Sequence, residues 1–395
     1  MLSLMDPGRP VVIGESVTRV MEGEPFTHPH IREVLALIRR TLPGTIIQIT
    51  TNGSRLDEEM VSFLASLGGT VIYLSLNSAD VGRRRRLMAD RRAEVAVSAP
   101  LRLQKYGITF HGSIVAMPHV LGWDDLSATI KFLDRYGAAT IRVFLPGFTR
   151  LAPAGLRFPA SLWRELHRFV RRLRGAIDTP VTCEPPLIED LRAVVAGVMA
   201  GTPARAAGIK CGDVITAVDR RPVSSRVDAF RRIKNADAPE VSLEREGKRF
   251  TVRLEKRAGE TSGLVMDYDI DVENFLGRIR SAWMAAGAGR PVLLLASELG
   301  YPILRLVLAD RYAAGVGVAA VVPVKNRFFG GSIKAAGLLV VADLEAALDR
   351  YLAAAPAPPS VVLVPEIAFD ARGRDLTGRS YLDMQEKYGV EIRPV

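Results

Sequence analysis

Along the first 145 residues, short apolar runs alternate with amphipathic stretches. Residues 11–21 contain apolar runs that suit a strand, and over residues 28–42 Ile31, Val34, Leu35, Ile38 and Leu42 recur at the spacing of one helical stripe. Thr45-Ile46-Ile47-Gln48-Ile49-Thr50 is short and β-branched, and the turn signal Asn52-Gly53 follows it. The same alternation predicts helices over residues 56–67, 91–106 and 123–136, and strands over 71–76, 108–116 and 140–145. Strands joined by helices pair in parallel through right-handed crossovers, so a curled or closed parallel sheet is expected.

Such sheets keep their chemistry at the carboxyl ends of the strands. The unusual residues fall there. Gly23-Glu24-Pro25 follows the first predicted strand, Thr51-Asn52-Gly53 the second, Ser75-Leu76-Asn77 the third and Pro146-Gly147-Phe148-Thr149-Arg150 the fifth. In the fourth, Gly112 beside Ser113 leaves mid-strand backbone that a flat ligand could approach.

This series resembles the radical S-adenosylmethionine (radical SAM) superfamily. There a Gly-Gly-Glu-Pro segment holds the amino group of S-adenosylmethionine, and Gly23, Glu24 and Pro25 match its last three positions, with Glu22 in place of the first glycine. A carboxylate and backbone carbonyls are what an ammonium group needs. The resemblance implies a cofactor cleft lined by Gly23, Glu24, Pro25, Asn52, Ser75, Asn77, Arg86 and Ser113, with Arg86 or its neighbour Arg85 pairing the methionine carboxylate. It also implies a [4Fe-4S] cluster on three thiolates, which lets the cofactor yield a 5'-deoxyadenosyl radical. The chain has only Cys183 and Cys211 and no Cys-x-x-x-Cys-x-x-Cys. On the superfamily's plan the cysteine loop should precede Met1, so the expected fold is a (β/α)6 barrel lacking its first unit. Either the cluster is supplied by residues upstream of Met1 or the lineage has lost it, and the catalytic residues stay unassigned.

Residues 194–256 look like a bacterial PDZ domain, with Gly201-Thr202-Pro203-Ala204 entering a short helix, Gly212-Asp213-Val214-Ile215 entering a strand, and Glu246-Gly247 joining two alternating strands. Such a domain takes a peptide carboxylate on a glycine-containing loop. Here that loop is expected at Glu189-Asp190-Leu191-Arg192-Ala193, which has no glycine and two carboxylates, so a docking role is also open. From Asp271 the helix–strand alternation returns, with strands over residues 292–296, 316–322 and 361–364, helices over 302–312 and 343–352, a loop closing on Gly330-Gly331, and a turn-rich tail. The expected architecture is therefore α/β: an incomplete barrel over 1–188, a β-rich PDZ-like domain over 189–258 and a second α/β domain over 259–395. Together the three parts resemble an uncharacterised bacterial family of iron-sulfur oxidoreductase type. The matches include His111, Pro146-Gly147, Pro323-Val324, Asn326, Phe329-Gly330, Gly337-Leu338-Leu339 and Asp343. The departures are the missing cysteines, the PDZ-like part following the barrel instead of leading it, and Lys334-Ala335-Ala336.

Composition narrows the functional classes. With 395 residues, 48% of them hydrophobic, the chain can bury two or three cores, and two cysteines exclude a disulfide framework. No leader pattern opens the chain and no apolar run approaches about 18 residues, so a cytoplasmic protein off the membrane is expected. The net charge of +10 comes mostly from arginines, as at Arg83-Arg84-Arg85-Arg86 and Arg171-Arg172, yet aromatics are 7% and the cations look dispersed. That pattern reads as a solvated surface, and a nucleic-acid partner is not expected. No Gly-x-Ser-x-Gly elbow or Ser/His/Asp set supports a peptidase. Two readings remain: a radical SAM-type oxidoreductase or transferase that binds S-adenosylmethionine, inactive as this chain, or a non-catalytic scaffold whose PDZ-like domain binds a protein or peptide.

Overall fold

The computed structural model describes residues 6, 8–14, 23–285, 287, 292–309, 318–354 and 359–395. The expected strand beyond residue 14, Glu22, the end of the helix expected over 302–312 and the Ala355-Pro356-Ala357-Pro358 stretch lie outside them.

Six parallel strands form the first sheet in the order of the chain: β1 (Val11–Ile13), β2 (Ile47–Thr51), β3 (Thr70–Ser75), β4 (Thr109–Val115), β5 (Ile141–Phe144) and β6 (Val181–Glu184). The crossovers are helical: α1 (Ile31–Thr41), α2 (Glu58–Leu67), α3 (Val81–Met88) with α4 (Ala93–Lys105), α5 (Pro118–Leu121) with α6 (Trp123–Arg135), and α7 (Ser161–Leu173). β1 and β6 do not pair with each other, so this is a partial barrel, open between its ends. Side chains alternate by face. Ile47, Ile49, Ile72, Leu74, Phe110, Ile114, Ile141 and Val143 are buried in one continuous core with Leu35, Leu64, Leu103 and Leu133 of the helices. The opposite face carries half-buried Gln48, Thr50, Tyr73, Ser75, His111, Ser113, Arg142 and Glu184. That polar face is where a ligand can meet the sheet.

Two expectations change in detail. Val34 is 39% exposed although it shares the stripe of buried Ile31, Leu35 and Ile38. Gly112 belongs to the helix-covered face, where a Cβ would come within 2.6 Å of Leu133 Cδ1. Its small size therefore serves the packing of α6 and leaves no approach for a ligand.

The middle sheet is antiparallel: β7 (Ala193–Val198), β8 (Val214–Val218), β9 (Arg221–Pro222), β10 (Glu240–Arg245), β11 (Lys248–Arg253) and β12 (Leu264–Met266), with α8 (Pro203–Ala206) and α9 (Arg226–Asn235). The order β11-β10-β8-β7-β12 leaves β12 at one edge, and the sheet runs past residue 258. The last sheet is parallel, in the order β14 (Val318–Val324), β13 (Val292–Ser297), β15 (Val361–Val364), β16 (Glu391–Pro394). It is flanked by α10 (Val272–Ala285), α11 (Gly300–Ala309), α12 (Val341–Ala354) and α13 (Tyr381–Tyr388). The tail read as turns thus holds α13, started by a Ser380–Asp383 capping box, and a further strand.

The sheets are bound together at specific points. Arg174 at the end of α7 makes a bidentate pair with Asp267, with Nη2 2.9 Å from Oδ1. Gly197 lies against Pro180, whose Cβ would be 2.6 Å from an added Cβ. The Gly330-Gly331 turn docks on the loop after β5: Arg150 N donates to Phe329 O at 2.8 Å and Ser332 N to Phe148 O at 2.9 Å. A Cβ on Gly331 would stand 2.1 Å from Phe148 O, at a φ of +62°, so the glycines serve this close approach. Among the described residues no helix is long and apolar enough to cross a membrane.

Candidate functional site

The loops after β1, β2 and β3 are joined by two side chains of opposite charge. Glu24 caps the short 3-10 turn Pro25–Thr27, accepting from Phe26 N at 3.2 Å. The same carboxylate accepts from Thr51 Oγ1 and from Asn52 N, both at 2.7 Å. Asn52 Oδ1 accepts from Ser54 N at 2.8 Å, and Gly53 adopts a φ of +79° with Leu74 where a Cβ would be. The Thr-Asn-Gly sequence is thus a turn whose backbone faces Glu24.

Beneath it lies Arg84, fully buried. Its guanidinium donates to Asn52 O at 2.6 Å, to Ser75 O at 3.2 Å, to Leu76 O, and through Nε to Asp90 at 2.8 Å. Burial pulls its pKa down, while the Asp90 hydrogen bond and the charges of Asp90 and Glu24 pull it back up. A guanidinium with four acceptors in fixed directions suits this work better than an ammonium could.

Of the residues anticipated for a cofactor, Glu24 and Asn52 are in direct contact, and Arg84 ties Ser75 to them. Ser75 and Ser113 are register partners on the polar face. Asn77 takes a φ of +61° and accepts from Val115 N through Oδ1 at 2.8 Å, so it fastens the ends of β3 and β4. Gly23 is exposed, and with Pro25, Gly14 and Ile31 it lines a groove of about 390 Å³ beside β1. Arg86 has no hydrogen bond to this group; it donates to Val120 O at 3.0 Å beyond β4, while Arg85 pairs with Glu94. Arg84 and Asp90 were not anticipated, and Thr51 was noted only as part of the strand-end Thr51-Asn52-Gly53. The available signal was Asp80, an N-cap three residues before Arg83, which starts α3 and turns the next residue inward.

Further along the polar face, Tyr73 stacks on His111 at 4.7 Å, and His111 Nδ1 lies 2.7 Å from Thr140 Oγ1. Burial, and then Arg142, hold the His111 pKa below the ordinary imidazole value. Arg142 lies over Phe144 and 3.8 Å from Glu184, whose carboxyl is pushed up by burial. Cys183 points to the helix-covered core, where burial drives its thiol pKa to about 12. Cys211 Sγ lies 3.2 Å from Ala196 O in the middle domain. Among the described residues no three His, Cys, Asp or Glu side chains group as metal ligands.

Residues 11–133 match the family model of the radical SAM superfamily. This region is a radical SAM domain. Residues 194–244 match the PDZ domain model. The Probable periplasmic serine endoprotease DegP-like of Rhizobium meliloti is 44% identical over 66 residues, which are 16% of this chain and 13% of that protein. Among solved structures, Streptococcus suis SuiB is 17% identical with a TM-score of 0.34, covering 41% of this chain and 37% of its own. A radical SAM methyltransferase from Sphaerobacter thermophilus is 19% identical with a TM-score of 0.31, covering 41% and 48%. The chain thus spans less than half of each of these relatives. Within the radical SAM domain, the Glu24–Asn52–Arg84 group sits at the carboxyl ends of three adjacent strands.

In the PDZ domain β12 forms the sheet edge beside β7, and Thr261-Ser262-Gly263 precedes it. Gly263 has a φ of +83°, and a Cβ there would fall 2.0 Å from Thr202 Oγ1. Gly263 N and Leu264 N donate to the hydroxyls of Thr261 and Ser262, each at a long 3.3 Å.

Proposed function

We propose that the radical SAM domain binds S-adenosylmethionine at the strand ends around Glu24, and that this chain alone does not build the cluster that activates that cofactor. The observation behind the reading is the placement of the Glu24 carboxylate. Two oxygens offer about four acceptor directions. Among the described residues Phe26 N, Thr51 Oγ1 and Asn52 N use three, which leaves Oε2 a place for an ammonium donor. Gly23 and Pro25 would flank that group, Asn52, Ser75, Asn77 and Ser113 would line the cleft, and Arg86 would turn from Val120 to meet a carboxylate. Bound there, S-adenosylmethionine would supply the reactive group, and the chain's own residues bind and orient it.

The donor set does not fit an iron-sulfur cluster, which asks for three thiolates. The sequence offers two, one of them buried in the core with a pKa near 12 and the other on the PDZ domain. Oxidoreductase or transferase chemistry would therefore need thiolates from outside these 395 residues. Thermal shift and affinity measurements with S-adenosylmethionine on wild type and Glu24→Gln test the reading. The amide keeps acceptor capacity but loses the charge, and a charge-assisted bond is worth about 1.5–3 kcal/mol, so affinity should fall at least tenfold. Equal affinity in the two proteins would remove Glu24 from the site.

A second activity is supported by the edge strand β12. A peptide can add to it as a further strand, its carboxylate displacing the long hydroxyl bonds on Gly263 N and Leu264 N. This gives the scaffold reading a specific surface without excluding the first.

A further inference from the structure

The cations that look dispersed along the sequence are gathered by the fold. On α7, Leu162, Leu166 and Val170 face the core, while Arg164, Arg168, Arg171 and Arg172 are exposed at i, i+4, i+7 and i+8, on one side of the helix. They span about 12 Å of axis. None has a carboxylate within 4.0 Å among the described residues, and Glu165 is the helix's single acid. Trp123, the first residue of α6, packs on Phe169 of α7 at 4.9 Å.

The strip leads somewhere. α7 begins at the carboxyl end of β5, after a loop over residues 145–160 in which Arg150 and Arg157 are exposed and have no acidic partner among the described residues. Arg157 donates to Arg150 O at 3.1 Å, and Arg150 reaches Arg327 O at 3.5 Å on the docked turn of the last domain. Aromatic faces stand at that end. Phe328 is 45% exposed and meets Phe329 edge-on at 4.9 Å, and Phe158 links His119 and Phe148 at 5.2 and 4.8 Å. Arginines followed by an open ring, here Phe328, form the combination that tracks a phosphate backbone and stacks a base. A membrane surface fits less well, because the apolar side of α7 is spent in the core and none is left to insert.

We propose that this strip is a track for single-stranded nucleic acid, running along α7 to the mouth of the radical SAM domain. Only the meaning of its destination, a substrate presented to the cofactor, rests on the function proposed above. Fluorescence anisotropy of the full chain with a labelled oligouridine, without cofactor, tests the track. Binding should weaken with salt, each engaged cation adding about 0.7 to the log–log slope. Reversing all four α7 arginines to Glu should weaken binding at least about 100-fold at low salt and lower the slope by about 3. Lys248→Glu, an exposed cation of the PDZ domain, should leave both unchanged, and circular dichroism should show every variant folded. Phe328→Ala should weaken binding about tenfold at an unchanged slope. The proposal is overturned if the quadruple variant binds like wild type, if no binding occurs at low salt, or if phosphatidylserine vesicles capture the protein while the oligonucleotide does not. Track binding without S-adenosylmethionine binding would sink the cofactor reading and keep this one; the reverse result would do the opposite.

Discussion

Arg84 shows how one buried side chain holds the site in shape. It neutralises Asp90 and takes three carbonyls from the ends of β2 and β3, so removing it leaves an unpaired carboxylate and unmet acceptors. Arg84→Met should lower unfolding free energy in urea by about 3–5 kcal/mol, the cost of breaking a buried pair. A loss under about 1 kcal/mol would mean that the loops hold without it. His111 gives a pH signature. Its pKa is depressed in the folded chain, so between that value and the ordinary one near 6.5 the unfolded chain binds more protons. Stability should therefore fall as pH drops through that window. Glu184, raised by burial, acts in the opposite sense, but the difference between wild type and His111→Gln isolates the imidazole. Urea midpoints that keep the same difference from pH 7 to 5 would contradict this.

At the scale of elements, what the sequence made legible followed the clarity of its periodicity. β15 occupies the anticipated residues 361–364, and α2 and β3 differ from expectation by a residue or two, because apolar spacing and turn residues agree there. α3 escaped notice since four successive arginines resemble solvated surface, although Arg84 is buried by the carbonyls around it. Gly112 looked like ligand space and is helix-packing space; only the pairing of β4 with its neighbours decides which face it takes. Residues 189–193 before β7 hold no glycine, whereas Gly263 stands before the edge strand β12, and strand order in space is invisible to a linear search. That placement carries a prediction. A short apolar C-terminal peptide should bind the PDZ domain, and Gly263→Ala should abolish binding by forcing the loop off Thr202. If a C-terminally amidated peptide bound as tightly as the free acid, carboxylate capture at β12 would be wrong.

At the scale of the whole molecule, close contacts fasten the three sheets, among them Arg174 with Asp267, Arg232 with Glu273, Gly197 on Pro180, and Gly331 on Phe148. The last of these brings Arg327 and Phe328 of the C-terminal domain to the strand ends of the radical SAM domain, so its mouth is shared between parts of the chain that are 177 residues apart at Arg150 and Arg327. Charge that averages out along the sequence becomes directional in this arrangement. The strand-end motifs were legible because each is a local turn; the cluster ligands were not found because two cysteines cannot supply them. The most direct test of the central claim is titration calorimetry of this chain with S-adenosylmethionine. Saturable heat with one cofactor per chain, at an affinity at least tenfold weaker in Glu24→Gln, is the predicted result, and no heat with the folded wild type would contradict the assignment of Glu24 as the cofactor's anchor.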